Sequence, residues 1–163
     1  MSQVPFIHRV PAHLARRFHQ ICLGALAQIT GPQDLSPLQF GMLASIQDQP
    51  GLDQRRLADR MGIDTVSAHH HIEFLEERGL VTRVVDPKDR RSRILKLTKR
   101  GLTLRERLRP GIIDAHDRVL SSLSRSEQDT FLRLLTRIVE SNEAFARPGN
   151  GRRPPRKIAE LMR

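Results

Sequence analysis

The chain has 163 residues, which corresponds to one domain, or one domain with a tail, at roughly 100–200 residues per domain. Its 28 Lys and Arg against 18 Asp and Glu give a formal net charge of +10, which points to a polyanionic partner, nucleic acid before an anionic membrane surface. Six Phe with no Trp or Tyr disfavour a single-strand binder that stacks bases on aromatic rings, but not a duplex binder that reads grooves with helices.

The single cysteine, Cys22, excludes an internal disulfide and fits a reducing cytoplasm. The apolar runs are too short to span a bilayer, and the N-terminus lacks the apolar segment of a signal peptide. We therefore expect a cytoplasmic, soluble protein.

The first predicted helix spans residues 10–30, with Pro11 in its first turn and Gly31-Pro32 ending it. A second helix begins at Ser36-Pro37, with Ser as N-cap, and stops before Pro50-Gly51. Both carry apolar residues at three- and four-residue steps: Leu14, Phe18, Ile21, Cys22, Ala25 and Ile29 in the first, and Leu38, Met42, Leu43 and Ile46 in the second.

Two short helices follow within about 26 residues. The first covers about 53–61, and Gly62 supplies the left-handed residue of a tight turn. Asp64 is the N-cap of the next helix, which runs to about Arg78 and ends at Gly79. This spacing predicts a helix-turn-helix.

A basic β-hairpin is predicted at 81–98 because a β-branched run, the turn 86–89 and an alternating return strand follow one another. Six Lys and Arg against two Asp give the hairpin a net charge of +4. A hairpin this basic, directly after a helix-turn-helix, is interpreted as a wing.

A long helical pattern runs from Lys99 to about Leu123, and Pro110-Gly111 within it predicts a kink or two separate helices. Its apolar positions are Leu102, Leu108, Ile112, Ala115 and Val119. Ser124 and Glu127 form a capping box for a last apolar-faced helix. Residues 148–163 form a basic tail, serving either as a non-specific phosphate clamp or as a solubilising segment.

Residues 36–101 resemble the MarR family of bacterial winged-helix transcriptional regulators. The resemblance rests on an ordered set of short motifs at these spacings: Leu35-Ser36-Pro37-Leu38-Gln39-Phe40, Leu57-Ala58-Asp59-Arg60-Met61-Gly62-Ile63, Leu75-Glu76-Glu77-Arg78-Gly79-Leu80-Val81-Thr82-Arg83, Asp86-Pro87-Lys88-Asp89-Arg90-Arg91-Ser92 and Leu97-Thr98-Lys99-Arg100-Gly101.

The resemblance implies a mainly α fold with a small β-hairpin wing. A winged helix-turn-helix DNA-binding lobe at 36–98 would be flanked by dimerisation helices at 10–30 and 99–147, with the basic tail after them. The homodimer would dock on a palindromic duplex, with recognition helices in major grooves roughly 34 Å apart.

The resemblance also places the DNA contacts. Ser67, His69 and His70 fall at base-reading positions, although the family commonly has Thr-Arg where this chain has His69-His70, which weakens the electrostatics and favours pH sensitivity. Arg91 would enter the minor groove with Asp89 orienting it, and a narrow groove attracts Arg in any case. For each of these residues, the alternative is a solvated surface side chain that makes no DNA contact. The full predicted set is Gln54, Arg55, Arg56, Thr65, Ser67, His69, His70, Asp89, Arg90, Arg91 and Arg93.

A metal site is not expected. Consecutive helical residues point about 100° apart, so the three histidines at 69–71 do not converge on one ion. His69 and Glu73 form the one i, i+4 ligand pair in that helix. The simpler interpretation is that His69 and His70 lie on a solvated helix face while the side chain of His71 is packed.

The resemblance implies a small effector, an aromatic acid, a phenolic compound or its coenzyme A thioester, bound between the dimer helices and the winged lobe. The alternative is that the apolar members of that set are simply core. Cys22 is either a peroxide-sensing thiol or a small buried hydrophobe, and the lack of Tyr favours the latter. The candidate ligand residues are His13, Arg16, Arg17, Phe18, Phe40, Met42, Ile46, Ile112 and His116.

The sequence thus favours a ligand-responsive repressor. A constitutive or architectural DNA-binding protein is the alternative, since the same charge would serve it. An enzyme is disfavoured, and no cofactor is expected, because there is no Gly-rich phosphate loop, nucleophile elbow or paired set of carboxylates in a plausible cleft.

Overall fold

A computed structural model describes residues 10–142, so the predicted basic tail and residues 143–147 lie outside the described part. Within it the chain forms six α-helices and one antiparallel hairpin, as the sequence predicts. In chain order these are α1 (Pro11–Thr30), a 3-10 turn (Gly31–Gln33), α2 (Pro37–Asp48), α3 (Gln54–Met61), α4 (Thr65–Glu77), β1 (Val81–Val85), β2 (Arg93–Leu97), α5 (Lys99–Val119) and α6 (Arg125–Ser141).

Side-chain caps fix where the helices begin, because the first backbone N–H groups of a helix have no partner inside it. The predicted caps are confirmed: Ser36 accepts from the Gln39 amide at the start of α2, Asp64 caps α4, and Ser124 forms a reciprocal box with Glu127 at α6. Gly62 has φ of 64°, so the left-handed residue predicted between α3 and α4 is confirmed.

The hairpin pairs Val81 with Leu97 and Val85 with Arg93. The Leu95 amide donates to the Leu52 carbonyl over 2.8 Å, which joins β2 to the segment before α3. One hydrophobic core lies beneath the hairpin and α2 to α5. Its fully buried large side chains include Met42, Leu43, Leu57, Ile72, Leu75, Leu80 and Leu95.

Helix α5 is continuous through Pro110, so the two-helix alternative is wrong. A proline inside a helix costs about 3 kcal/mol. Leu108 and Ile112 are buried on either side of Pro110, and a side chain added at Gly111 would lie 3.1 Å from Ile29 of α1. We attribute the continuity to this packing.

The buried face of α5 also differs from the predicted stripe, most clearly in its first turns. Leu104 is buried while Leu102 is exposed, and the helix ends at Val119 rather than near Leu123.

The terminal helices leave much of their apolar surface exposed. In α1 the one buried residue is Thr30, and α6 has none. The two helices meet where the rings of Phe18 and Phe131 pack edge to face with centroids 5.3 Å apart. We call the five most exposed large apolar side chains of these two helices the terminal apolar face: Leu14, Ile21, Leu132, Ile138 and Val139. No helix within residues 10–142 is long and apolar enough to cross a membrane.

Candidate nucleic-acid interface

Gln54 joins the starts of the two helices of the helix-turn-helix. It is the first residue of α3, and its Nε2 donates to the Thr65 carbonyl at the first position of α4 over 3.4 Å. Its Oε1 accepts from Arg83 over 3.2 Å and lies 3.4 Å from His69 Nδ1. Gln54, predicted as a phosphate contact, therefore also fixes the relation between α3, α4 and β1.

Acidic residues extend this arrangement along α4. Glu76 forms an ion pair with Arg83, while Glu73 lies 3.1 Å from His69 Nε2 and 3.8 Å from His70 Nδ1. The sequence analysis paired His69 with Glu73 by their i, i+4 spacing, but it missed Glu76 and Arg83 as members of this group. No local pattern could have revealed the link from Arg83 to Gln54, because it joins residues 29 apart in the chain.

The start of α4 is built around Asp64. Its carboxylate accepts the Ser67 amide over 2.9 Å and the Ser67 hydroxyl over 2.8 Å. These bonds, the amide bond first, hold the pKa of Asp64 below its ordinary value because they favour the charged form. Because the hydroxyl proton of Ser67 is donated to Asp64, the Ser67 oxygen can act only as a hydrogen-bond acceptor toward another molecule.

The first turns of α4 present both polar and apolar groups to solvent. Thr65 is exposed, Val66 is 64% exposed, and the side chain of His70 is 71% exposed. His71 is half-buried, and its Nδ1 lies 3.5 Å from Gln39 Nε2, which matches the packed role expected for it.

The wing tip, residues 86–92, is folded by its own aspartates. Asp86 accepts from the Lys88 amide over 2.8 Å, and Asp89 accepts from the Arg91 amide over 2.9 Å. Asp89 thus holds the backbone at Arg91 rather than its guanidinium group. Arg90, Arg91 and Arg93 are all exposed, and no residue in the described part of the chain forms an ion pair with them.

The two arginines at the start of α3 differ. Both are exposed, but Arg56 Nε lies 3.6 Å from Asp53 Oδ2, whereas Arg55 has no ion-pair partner among residues 10–142.

The candidate ligand residues fall into two groups. Phe40, Met42, Ile46 and Ile112 belong to the buried core. The others lie on or near the surface: Phe18 half-buried against Phe131, His13 half-buried, and Arg16, Arg17 and His116 exposed.

No group of three or more His, Cys, Asp or Glu in the described part of the chain is placed to hold a metal ion. Burial raises the pKa of the half-buried Cys22 thiol, which lowers its reactive thiolate fraction.

Comparison with known proteins agrees with this architecture. The family model described as MarR family matches residues 33–92. A putative transcriptional regulatory protein for the hcr operon of Thauera aromatica is 34% identical over 110 residues, which cover 68% of this chain and 66% of that protein.

Solved structures extend the likeness over the flanking helices. PcaV from Streptomyces coelicolor, in complex with its natural ligand, is 31% identical with a TM-score of 0.70. The match covers 86% of this chain and 98% of PcaV. The repressor CouR bound to a 23-mer DNA duplex is 28% identical, with a TM-score of 0.74, and the match covers 85% of this chain and 99% of CouR. CouR from Rhodococcus jostii RHA1 bound to p-coumaroyl-CoA is 29% identical, with a TM-score of 0.74, and the match covers 84% of this chain and 95% of CouR. The ordered motifs, the winged helix-turn-helix and these relatives together identify the chain as a member of the MarR family of winged-helix transcriptional regulators.

Proposed function

We propose that the protein is a homodimeric repressor that binds a palindromic duplex operator sequence-specifically and is released by a small aromatic acid, a phenolic compound or its coenzyme A thioester. The observation that carries the proposal is the wing tip, where aspartates fix the backbone and leave arginines exposed without acidic partners. Such uncompensated cations suit a polyanion. CouR, a relative of similar fold, has been solved bound to duplex DNA.

The start of α4 supplies the base-reading groups in this proposal. Ser67 presents an acceptor, which suits the amino group of cytosine or adenine, and the exposed His70 can donate to purine N7 or guanine O6. His69 is positioned by Gln54 and Glu73. Thr65, exposed at the first position, completes the set.

The backbone contacts come from the flanking segments. Arg91 would enter the minor groove, since its backbone is held by Asp89 while its side chain stays exposed. The remaining cations would contact phosphates, which fix register without reading sequence. These are Arg55, Arg56, Arg90 and Arg93, together with Gln54 beside the start of α3.

The terminal apolar face supports the homodimer. Ile21 is 53% exposed and Ile138 is 60% exposed, and an apolar surface of this kind marks an interaction site. We propose that α1 in 10–30 and the helices in 99–147 pair across a two-fold axis, with 36–98 as the DNA-binding lobe of each subunit. The tail at 148–163 would add phosphate contacts or solubility.

Relatives support the effector class. PcaV has been solved with its natural ligand and CouR with p-coumaroyl-CoA. For this chain we propose that the effector binds where α1 meets the lobe, with a cation of α1 pairing with its acid group. The residues assigned to this site are His13, Arg16, Arg17, Phe18, Phe40, Met42, Ile46, Ile112 and His116.

The experiment is fluorescence anisotropy of the full chain on the DNA upstream of its own gene, at physiological salt with excess random duplex. A panel of aromatic acids and their coenzyme A thioesters is then titrated in. The proposal predicts binding that survives the competitor and is released by one compound. If random duplex displaces the upstream DNA as readily as the same sequence does, the result would contradict the proposal and support the constitutive or architectural alternative. Specific binding that every compound leaves intact would contradict the proposed effector class alone.

A further inference from the structure

A cavity of about 420 Å³ lies at the open end of the hairpin, apart from the DNA-facing groups and from the proposed effector site. Leu80 and Leu104 contribute its apolar wall, and its polar lining is entirely basic or neutral. The polar lining residues are Gln33, Arg78, Lys99, Arg100, Thr103 and Arg107. We call it the cation-lined cavity.

The cavity lies at the far end of the lobe from the wing tip. Arg78 caps the C-terminus of α4, a helix of 13 residues, so it lies roughly 20 Å along the axis from the Asp64 end. Lys99 lies two residues after Leu97, the last residue of β2, which pairs with the first residue of β1. The five residue pairs of the ladder separate this end from the tip. Operator phosphates held at the tip therefore do not explain these cations.

Two of the guanidinium groups are fixed by uncharged acceptors. Arg78 donates to the carbonyl oxygens of Gln33 over 2.9 Å and of Asp34 over 2.5 Å, and it lies over the Phe74 ring at 5.5 Å. Arg107 donates to Gln33 Oε1. Neutral acceptors orient these groups without cancelling their charge, so the positive charge is in place before any ligand arrives.

Little negative charge opposes them. Within residues 10–142, the one carboxylate in contact with the lining is that of Asp34, which is 88% exposed and 3.4 Å from Arg78. Lys99 and Arg100 are exposed and make no hydrogen bond or ion pair through their side chains with residues 10–142. Arg100, Thr103 and Arg107 recur at three- and four-residue steps, which brings them to one face of α5.

We propose that the cation-lined cavity binds a multiply charged anion of the phosphate class, such as the phosphate or pyrophosphate group of a small molecule. The cavity joins the turn after α1, the end of α4 and the first turns of α5, so an anion there would tie these three segments together. This site shares no lining residue with the one proposed for an aromatic effector.

The test is isothermal titration calorimetry of the full chain with sodium pyrophosphate, and separately with inorganic phosphate, at constant ionic strength and without DNA. The variant Arg100→Gln removes an unpaired cation from the lining. Its matched control is Arg109→Gln, which removes an exposed arginine nine residues further along α5 and so half a turn around the helix.

The proposal predicts saturable pyrophosphate binding at one site per chain, weakened about tenfold in Arg100→Gln and by less than about twofold in Arg109→Gln. Arg100→Lys should restore part of the affinity because it restores the charge. No saturable heat with either anion, or equal weakening by the two glutamine variants, would overturn it, the second because diffuse surface charge would then explain the binding. Since DNA is absent, failure here leaves the proposed operator binding untouched.

Discussion

The carbonyl group of Leu80 occupies the space where a side chain on Gly101 would have to lie. A Cβ built on Gly101 would be 2.9 Å from the Leu80 carbonyl carbon and closer still to its oxygen. The same carbonyl accepts the Thr98 amide over 3.0 Å, and Thr98 Oγ1 donates to the Gly79 carbonyl over 2.6 Å while capping α5. The junction between α4, the hairpin and α5 is thus closed by backbone contacts that only glycine permits.

Replacing Gly101 by alanine should destabilise the protein even though alanine favours a helix by about 1 kcal/mol. The added methyl meets backbone, which does not yield as a flexible side chain does, so we expect a net loss of about 1–3 kcal/mol in the free energy of unfolding. Urea unfolding at fixed protein concentration measures it. Thr103→Ala, an exposed change on the same helix, is the control and should be nearly neutral. A Gly101→Ala variant as stable as the parent would show that the junction can shift.

Removing the guanidinium of Arg91 should weaken operator binding by about 1–3 kcal/mol and flatten its dependence on salt, because one groove contact and its released counterions are lost. Anisotropy titrations over a range of salt concentrations provide both values. Arg109→Ala removes the same charge on α5 and should change affinity little. Equal losses in the two variants would mean that net charge, rather than the wing tip, governs binding.

A charge placed in the terminal apolar face should break the dimer. Ile138→Glu puts a carboxylate where a 60% exposed isoleucine lies in the chain, and burying it against a partner would be costly. Sedimentation equilibrium should show monomer, and operator affinity should fall with it. The control is Ser126→Glu, an exposed position of α6 that lies at least about 120° around the helix axis from Leu132, Ile138 and Val139. A dimer that survives Ile138→Glu would place the interface elsewhere.

The capping carboxylates should make stability fall in acid. Hydrogen bonds from Ser67 and Ser124 hold the pKa values of Asp64 and Glu127 below their ordinary range in the folded chain. Their stabilisation is therefore present above the unfolded-state pKa, about 4, and is lost as the pH falls through the folded-state pKa.

The measurement is the free energy of unfolding between neutral pH and about pH 3 at fixed protein concentration. Asp64→Asn keeps a side chain that caps well but does not titrate, so its pH dependence should be shallower than that of the parent. The control Asp129→Asn removes an exposed carboxylate that makes no hydrogen bond or ion pair with the described residues, and it should leave the slope nearly unchanged. An unchanged slope in Asp64→Asn would contradict the account.

The elements were predictable because their ends are marked by local chemistry. Ser36, Asp64 and Ser124 cap helices within three residues of their own position, and Gly62 must adopt a left-handed conformation to turn α3 into α4. Signals of that range are readable from sequence. The sequence left open whether α5 is one helix or two at Pro110, because the outcome depends on packing between helices distant in the chain.

The candidate site was predictable in part for the same reason. The wing-tip turn and the start of α4 are local, but the contacts that tie Gln54 to Arg83 and Arg78 to Gln33 join residues 29 and 45 apart. The cation-lined cavity gathers Arg78 and Arg107 from separate helices around Gln33, so no single stretch of sequence shows it.

Hydroxyl-radical footprinting of the full chain on its selected operator distinguishes a symmetric, two-winged homodimer from other modes of DNA binding, since it maps which grooves the protein covers. A homodimer with two wings predicts protection that is symmetric about the centre of the palindrome, with half-sites roughly 34 Å apart and outer minor-groove tracts that disappear in Arg91→Ala. Asymmetric or uniform protection, or outer tracts unchanged in Arg91→Ala, would contradict it.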